Sequence, residues 1–272
     1  MRPNWKLLTI LFITLLSSVV LTGIEAQPQS SQGSQPKQAP TRRETIEAAD
    51  VSQFPIVDHL AERALTGKER VKWEAKGKKY NSRHVPPLNE FSNQVFSFID
   101  WERGLPAFPL ERSSSVIIGE VTRAEAHLSS DETKIYSEFT VRVDAVLKND
   151  EVMALSPKTK ITVERPGGRV RFPSGKIVVA AVSNQDLPRV GRRYVLFLTH
   201  DFIMGGRYDE TFFILTGYEL RNGKVFPLDK VSAGHPINTY EGSDEQAFLK
   251  DLTSALSNAS LTPEAKQERV YQ

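Results

Sequence analysis

Arg165, Arg169, Arg171 and Lys176 are the residues whose types and spacing come nearest to a binding site. They surround two turn signals, Pro166-Gly167-Gly168 and Pro173-Ser174-Gly175. In an extended segment Arg169 and Arg171 fall on one face, because side chains alternate with a period of two. A guanidinium is a planar fork that matches the paired oxygens of carboxylate or phosphate. A hairpin so charged suits an acidic protein partner, an anionic glycan or a lipid headgroup. The charges have a second reading, since edge strands carry Lys and Arg to block pairing with other chains.

Other constellations are weaker. The five histidines (His59, His84, His127, His200, His235) have no ligand spacing, and no H-E-x-x-H places two imidazoles on one helix face. His200-Asp201 at a strand end has the types that a hydrolytic site uses to orient an imidazole. Ser174-Gly175-Lys176 has the look of a phosphate-loop ending, but Gly168 stands too far upstream and no Ser or Thr follows the lysine. No nucleophile elbow of the G-x-S-x-G type occurs. Glu120, Glu125, Glu138 and Asp144 fall on outward strand positions, where only a cleft would pair them for acid–base work. The sequence contains no cysteine, which excludes thiolate catalysis, Cys-ligated zinc, disulfides and a lipid-modified N-terminal cysteine. We therefore assign no catalytic residue, no metal ligand and no cofactor.

The elements that would position these residues read as follows. Residues 1–26 form a signal sequence, with Arg2 and Lys6 ahead of an apolar run from Leu7 to Leu21 and small residues up to Ala26. That run is shorter than the ~20 residues a spanning helix needs, which favours cleavage over an uncleaved anchor. Losing Arg2, Lys6 and Glu25 takes the net charge from +2 to +1, too nearly neutral for a dedicated nucleic-acid binder. Export without disulfides points to a bacterial envelope, with the protein secreted or periplasmic. Residues 27–45, rich in Gln, Ser and Pro, read as a disordered tether.

Residues 46–110 hold three features. A helix of two to three turns is expected from about Ile56, ended by Gly67. The stretch 68–83 interleaves Lys68, Arg70, Lys72, Lys76, Lys78, Lys79 and Arg83 with Trp73 and Tyr80. That pattern suits a single strand of nucleic acid or an anionic surface, but the reading favoured for an exported protein is a solvated linker helix or loop whose aromatics pack down on the domain. An aromatic strap follows over 86–109, with Phe91, Phe96, Phe98, Trp101 and Phe108. It is expected to lie buried over the barrel; left exposed, it would be a partner surface.

Residues 111–231 read as the β domain. From Ile135 to Leu147 apolar and polar residues alternate, the mark of a half-buried antiparallel strand. Gly119 sits where a bend or a close backbone approach is wanted. Short strands are predicted at 116–126, 160–164, 169–172, 177–182, 193–199 and 211–220, and Asn222-Gly223 reads as a type I′ hairpin turn. Residues 232–257 supply a loop and a helix from about Asp244 with Phe248, Leu249, Leu252 and Leu256 on one face, and 258–272 a polar tail. The fold class is mainly β, a small antiparallel OB-like barrel with flanking helices.

Residues 113–231 carry a resemblance in pattern. Val116-Ile117-Ile118-Gly119-Glu120-Val121, the strand ending Val143-Asp144-Ala145-Val146-Leu147-Lys148, and Val190-Gly191-Arg192-Arg193-Tyr194-Val195-Leu196-Phe197-Leu198 together resemble a bacterial exported module. That module is similar to the netrin-like barrels of the tissue inhibitors of metalloproteinases. The resemblance implies an OB-type barrel. The animal inhibitors grip zinc through an N-terminal cysteine, which is lacking here, so no inhibitory residue carries over. The function expected is an exported, non-catalytic binding or accessory module of the bacterial cell envelope, its partner an envelope protein or an anionic glycan or lipid. The alternatives are an envelope hydrolase using scattered residues such as His200, Asp201 and Glu138, and a structural component of an envelope assembly.

Overall fold

In chain order the strands and α-helices run β1 (Ile56–Asp58), α1 (His59–Arg63), α2 (Gly67–Gly77), β2 (Val95–Ser97), β3 (Ser115–Leu128), β4 (Ile135–Lys148), β5 (Lys160–Pro166), β6 (Gly168–Arg171), β7 (Ile177–Val182), β8 (Arg193–Thr199), β9 (Phe212–Arg221), β10 (Lys224–Pro227) and α3 (Glu245–Ser260), with short 3-10 turns at Val51–Gln53, Lys78–Tyr80 and Pro236–Tyr240. The computed structural model describes residues 50–260 apart from 94, 202–205 and 209. The expected signal sequence, the tether and the tail beyond Ser260 lie outside them. Strand outweighs helix, 37% to 20%, so the chain is mainly β as its alternation foretold.

Five strands close into a barrel in the order β9-β5-β4-β3-β8, with β8 pairing back to β9. The β5–β9 contact is parallel and the others are antiparallel, an arrangement compatible with an OB-like barrel. Inside lie Ile117, Val121, Phe139, Val141, Val143, Val163, Leu196, Leu198 and Ile214, all fully buried. Gly119 is required by a close approach: a Cβ there would stand 2.6 Å from the Arg142 carbonyl oxygen and from Val141 Cγ1. The alternation expected over 135–147 holds only as far as Val143. The register passes from Gly119↔Val143 to Ile118↔Ala145, leaving Asp144 unmatched as a bulge. Val146 therefore packs with the barrel interior, while Ala145 and Leu147 join the cluster outside the wall.

That outer cluster covers β3, β8 and β9 from the far side. Trp101, Leu105 and Leu110 of the strap and Phe248 and Leu252 of α3 pack on Val116, Phe197, Tyr218 and Leu220. Asp244 starts α3 by accepting the backbone N–H groups of Gln246 and Ala247. The Asn222-Gly223 turn between β9 and β10 has φ of 53° and 70°, the left-handed pair that a type I′ turn demands.

A second sheet has the order β1-β6-β7-β2. Here the structure departs from the expected helix at 56–67. Ile56 and Val57 pair in parallel with Arg169 and Val170, α1 spans only His59–Arg63, and Gly67 opens α2 at φ 54° instead of ending a helix. β-Branched residues gain more on a pleated, half-buried surface than in a short helix, and Val57 buries there with Val170, Phe172 and Trp73. Pro166-Gly167-Gly168 is a corner through which the chain passes from the barrel wall to the second sheet. Gly167 and Gly168 have φ of 119° and 149°, and a Cβ on Gly168 would meet Ile135 Cγ2 at 2.7 Å.

Candidate functional site

The expected basic hairpin is not assembled, because Arg165 points inward. Alternation along β5 puts Ile161, Val163 and Arg165 on the barrel side, and the corner at Gly167-Gly168 resets the phase for β6. The Arg165 side chain is 0% exposed. Its Nη1 lies 2.8 Å from Asp229 Oδ1, and its Nη2 donates to Asp229 Oδ2 at 2.9 Å and to the Leu215 carbonyl at 3.1 Å. The guanidinium also stacks over the Trp101 ring. Asp229 accepts in addition from the Thr216 hydroxyl and the Asp186 backbone N–H. Burial first, and Asp229 among the lesser causes, pushes the Asp186 carboxyl above its ordinary range. This knot ties the strap and the β10 exit to the barrel and leaves Arg165 out of reach of any ligand. Arg169 is half-buried and donates Nε–H to the Phe54 carbonyl. Arg171 and Lys176 are exposed, with Arg171 3.4 Å from Asp58. β6, which carries Arg169 and Arg171, lies between β1 and β7 and not at an edge, and Lys176 stands in the turn that follows it.

His200 is buried and pairs with Asp150, not with its neighbour in sequence. Nδ1 faces the Thr211 carbonyl at 3.1 Å, Nε2 lies 3.2 Å from Asp150 Oδ2, and the ring stacks on Phe212. Asp150 also accepts the N–H groups of Val152 and Met153. Burial raises its pKa, but these hydrogen bonds and His200 outweigh it, and the carboxyl sits below its usual range. Asp201 bridges through its backbone to Arg207. Glu138, the third member of the hydrolase alternative, is engaged by Lys76.

What the structure does bring together is the basic stretch and an acidic barrel face. Outward alternation on β4 and β5 presents Tyr136, Glu138 and Glu164, and the segment from α2 to Ser82 lies across them. Trp73 and Tyr80 pack down on the domain. The Tyr80 ring stacks on Tyr136 with centroids 4.1 Å apart, and its hydroxyl donates to Glu164 Oε2 at 2.7 Å. Burial, reinforced by the Glu164 charge, holds the Tyr80 phenol well above the usual tyrosine range. Lys79 Nζ lies 2.7 Å from Glu164 Oε2 and donates to the Thr211 hydroxyl at 3.3 Å. Three rings, of Tyr80, Tyr208 and Phe213, surround that ammonium with centroids 5.1–5.6 Å away. Lys76 binds Glu138 directly and approaches Glu164 at 3.6 Å.

The β3–β4 turn closes the other side of this groove. Ser82 donates its backbone N–H to Asp131 and Thr133, while Asn81 Oδ1 accepts from the Ser130 hydroxyl and the Asp131 N–H. At Asp131 burial raises the pKa, but hydrogen bonds from Thr133, Ser129 and Ser82 outweigh it and hold the carboxyl below its usual range. Gly77 admits the chain this close: a Cβ there would meet the Ser130 nitrogen at 2.8 Å. Glu164 was missed in the sequence. It stands between Val163 and Arg165 in a strand with no acidic neighbour on either side, and only its position opposite 76–80 reveals it.

Among the described residues no group of three or more His, Cys, Asp or Glu side chains is placed to hold a metal ion. No helix there is long and apolar enough to cross a membrane. No protein-family model, curated protein or solved structure matches the chain.

Proposed function

We propose that the protein is an exported, non-catalytic binding or accessory module of the bacterial cell envelope, built on an OB-like barrel in the manner of the netrin-like domains. The observation that carries this reading is the pair of exposed aromatics on the strap. Phe91 and Phe98 are 83% and 77% exposed, and they bracket β2, the terminal strand in its sheet. Large apolar side chains beside an open strand edge are the combination a partner uses when it adds a strand, with backbone hydrogen bonds for affinity and aromatic contacts for choice. Arg171 and Lys176, exposed on the β6–β7 hairpin of the same sheet, are suited to a rim contact with an acidic partner, glycan or lipid headgroup.

The test is crosslinking of the full chain, tagged at its C-terminus, in its native host. A photoreactive phenylalanine analogue replaces Phe91 or Phe98, and crosslinked species are identified by mass spectrometry. The reading expects one envelope protein in stoichiometric yield, captured from both positions and lost when Pro replaces Phe96 to spoil the strand edge. Recovery of the chain alone from both positions refutes it and favours the hydrolase alternative. Capture within large particles would make the protein a structural component of an envelope assembly.

A further inference from the structure

We propose that the pocket beside β2 selects an acidic partner strand, taking an apolar side chain from it while the Lys134 ammonium pairs with a carboxylate two residues along. This rests on the reading of β2 as the edge where a partner adds a strand, and it names the chemistry that edge selects. The backbone sets the geometry. β2 is terminal in its sheet and pairs in parallel with β7, Val95 opposite Ala180 and Ser97 opposite Val182. The Ser97 carbonyl accepts the Ser183 N–H at 2.9 Å. In a parallel ladder the residues that bond one neighbour alternate with those whose backbone groups face away from it. Val95 and Ser97 therefore bond β7, and the Phe96 N–H and C=O face the open edge. A strand added antiparallel there sets one residue opposite Phe96, exchanging both bonds with it. The residues on either side of that one lie on the face of Val95 and Ser97.

That face carries a pocket. Val95 and Ser97 line it with Ala180 of β7, joined by Val85, Ile135 and Pro166, and the lining is largely apolar. Lys134 is the charged residue in its wall. Among the described residues no carboxylate pairs with the Lys134 ammonium, and Asp131, the charge that acts on it, is itself held by Ser82, Ser129 and Thr133. Burial draws the Lys134 pKa below the ordinary lysine range, with Asp131 acting the other way. A cation partly withdrawn from water gains from an incoming carboxylate, so the wall favours an acidic partner over a neutral or basic one. An apolar hollow and a cation on one face match an apolar and an acidic residue at positions i and i+2 of an added strand. β2 is only three residues long. Few backbone bonds are therefore on offer, and side-chain contacts must supply the choice of partner.

The experiment uses the purified full chain and fluorescein-labelled peptides built on Thr-Thr-Val-Thr-Glu-Thr. Anisotropy is expected to show saturable binding, weakened about 10-fold when the peptide's Glu is replaced by Gln, the loss of a charge-assisted bond. Replacing its Val by Ala should weaken binding by about the same factor, since less apolar surface is then buried. In the chain, Lys134→Met should bind the Glu and Gln peptides equally, while Lys134→Arg keeps the preference. Ser97→Leu, which fills the pocket, should bind the Val and Ala peptides equally. Equal binding of the Glu and Gln peptides by the wild-type chain, or a preference for Glu that survives Lys134→Met, overturns the proposal. So does the absence of saturable binding. Phe96→Pro removes the outward donor and leaves the bonds to β7 in place, so it separates this proposal from the reading it rests on. If it abolishes binding that never depended on Glu or Val, strand addition at β2 stands and the pocket's role falls. If selective binding survives it, the pocket takes a ligand other than an added strand, and the assigned occupant is overturned.

Discussion

Replacing Asp229 by Asn tests whether the Arg165 knot holds the strap to the barrel. Both side chains are 0% exposed, so the change leaves a guanidinium in the interior without its counter-charge. The amide keeps one oxygen, enough for either the Asp186 N–H, which bonds Oδ1, or the Thr216 hydroxyl, which bonds Oδ2, so the change removes the charge and one acceptor with it. Removing one member of a buried pair costs about 3–5 kcal/mol. For a domain of this size each kcal/mol lowers Tm by ~2–4 °C, so a fall of about 6–20 °C is expected. Thermal unfolding of the purified chain measures the fall and urea unfolding the free energy, both read by far-UV circular dichroism and by tryptophan fluorescence, since Trp101 lies against the guanidinium. Arg165→Met alone should cost a similar amount by stranding the carboxylate. The double variant Arg165→Met/Asp229→Asn removes both charges and should be more stable than either single one, with a coupling of at least ~2 kcal/mol. A loss under ~1 kcal/mol for Asp229→Asn, the range of an exposed ion pair, would refute the reasoning. So would a double variant whose loss equals the sum of the two.

By contrast, Asp58→Ala breaks a pair whose side chains are about half exposed at 3.4 Å, and should change the urea midpoint by less than ~1 kcal/mol of stability. Gly168→Ala forces a Cβ to 2.7 Å from Ile135 Cγ2 at a φ of 149°, and should cost at least the ~1–3 kcal/mol of overpacking in the same assay. At alkaline pH the buried phenols set the limit. Burial pushes Tyr194 up to about 12 and raises Tyr80 and Tyr218 as well. The folded state therefore favours the neutral phenol, and its stability is complete below the unfolded pKa near 10 and declines as pH rises above it. Absorbance at 295 nm should show these tyrosines ionising late and together with unfolding. Early, separate ionisation would contradict their burial. At the acid end Asp131 and Asp150 lie below their ordinary range, so their contribution is present above the unfolded value near 3.9 and is lost as pH falls through the folded one. Asp150→Ala should flatten that acid limb in pH-dependent melting.

The barrel was legible where one interaction dominates each residue. From Ile135 to Val143 burial on one side of a strand sets the alternation, and the Asn222-Gly223 turn follows from backbone sterics alone. Legibility failed where a long-range contact overrules a local signal. The bulge at Asp144 is a matter of register with β3, and its own sequence continues the alternation unbroken. Ile56 and Val57 have helical spacing with Leu60 and Ala64, yet their partners Arg169 and Val170 lie more than a hundred positions away. The charges show the same division. Arg165, Arg169 and Arg171 look alike in sequence, but two glycines at the corner send the first inward and turn the other two to a different sheet.

That last division bears on how function is distributed. A charge becomes structural or available according to whether the opposite charge reaches it within the fold. Arg165 meets Asp229 and is sealed, while Arg171 meets Asp58 only loosely at the surface. Lys79 lies between these extremes. It is nearly as enclosed as Arg165, with 7% of its side chain exposed, and the turn that brings it, Lys78–Tyr80 after α2, is anchored by the fully buried Tyr80. The barrel face and the lysine are thus strongly complementary, and Trp73 and Tyr80 on either side of it anchor the segment to the domain. Arg165 is fixed differently, on β5, a wall strand paired on both sides that cannot leave without opening the barrel. Depth of burial alone therefore does not separate a structural ion pair from a ligand contact. The separation lies in what the pairing closes off: Arg165 and Lys79 meet their counter-charges inside the fold, while Arg171 keeps its guanidinium at the surface.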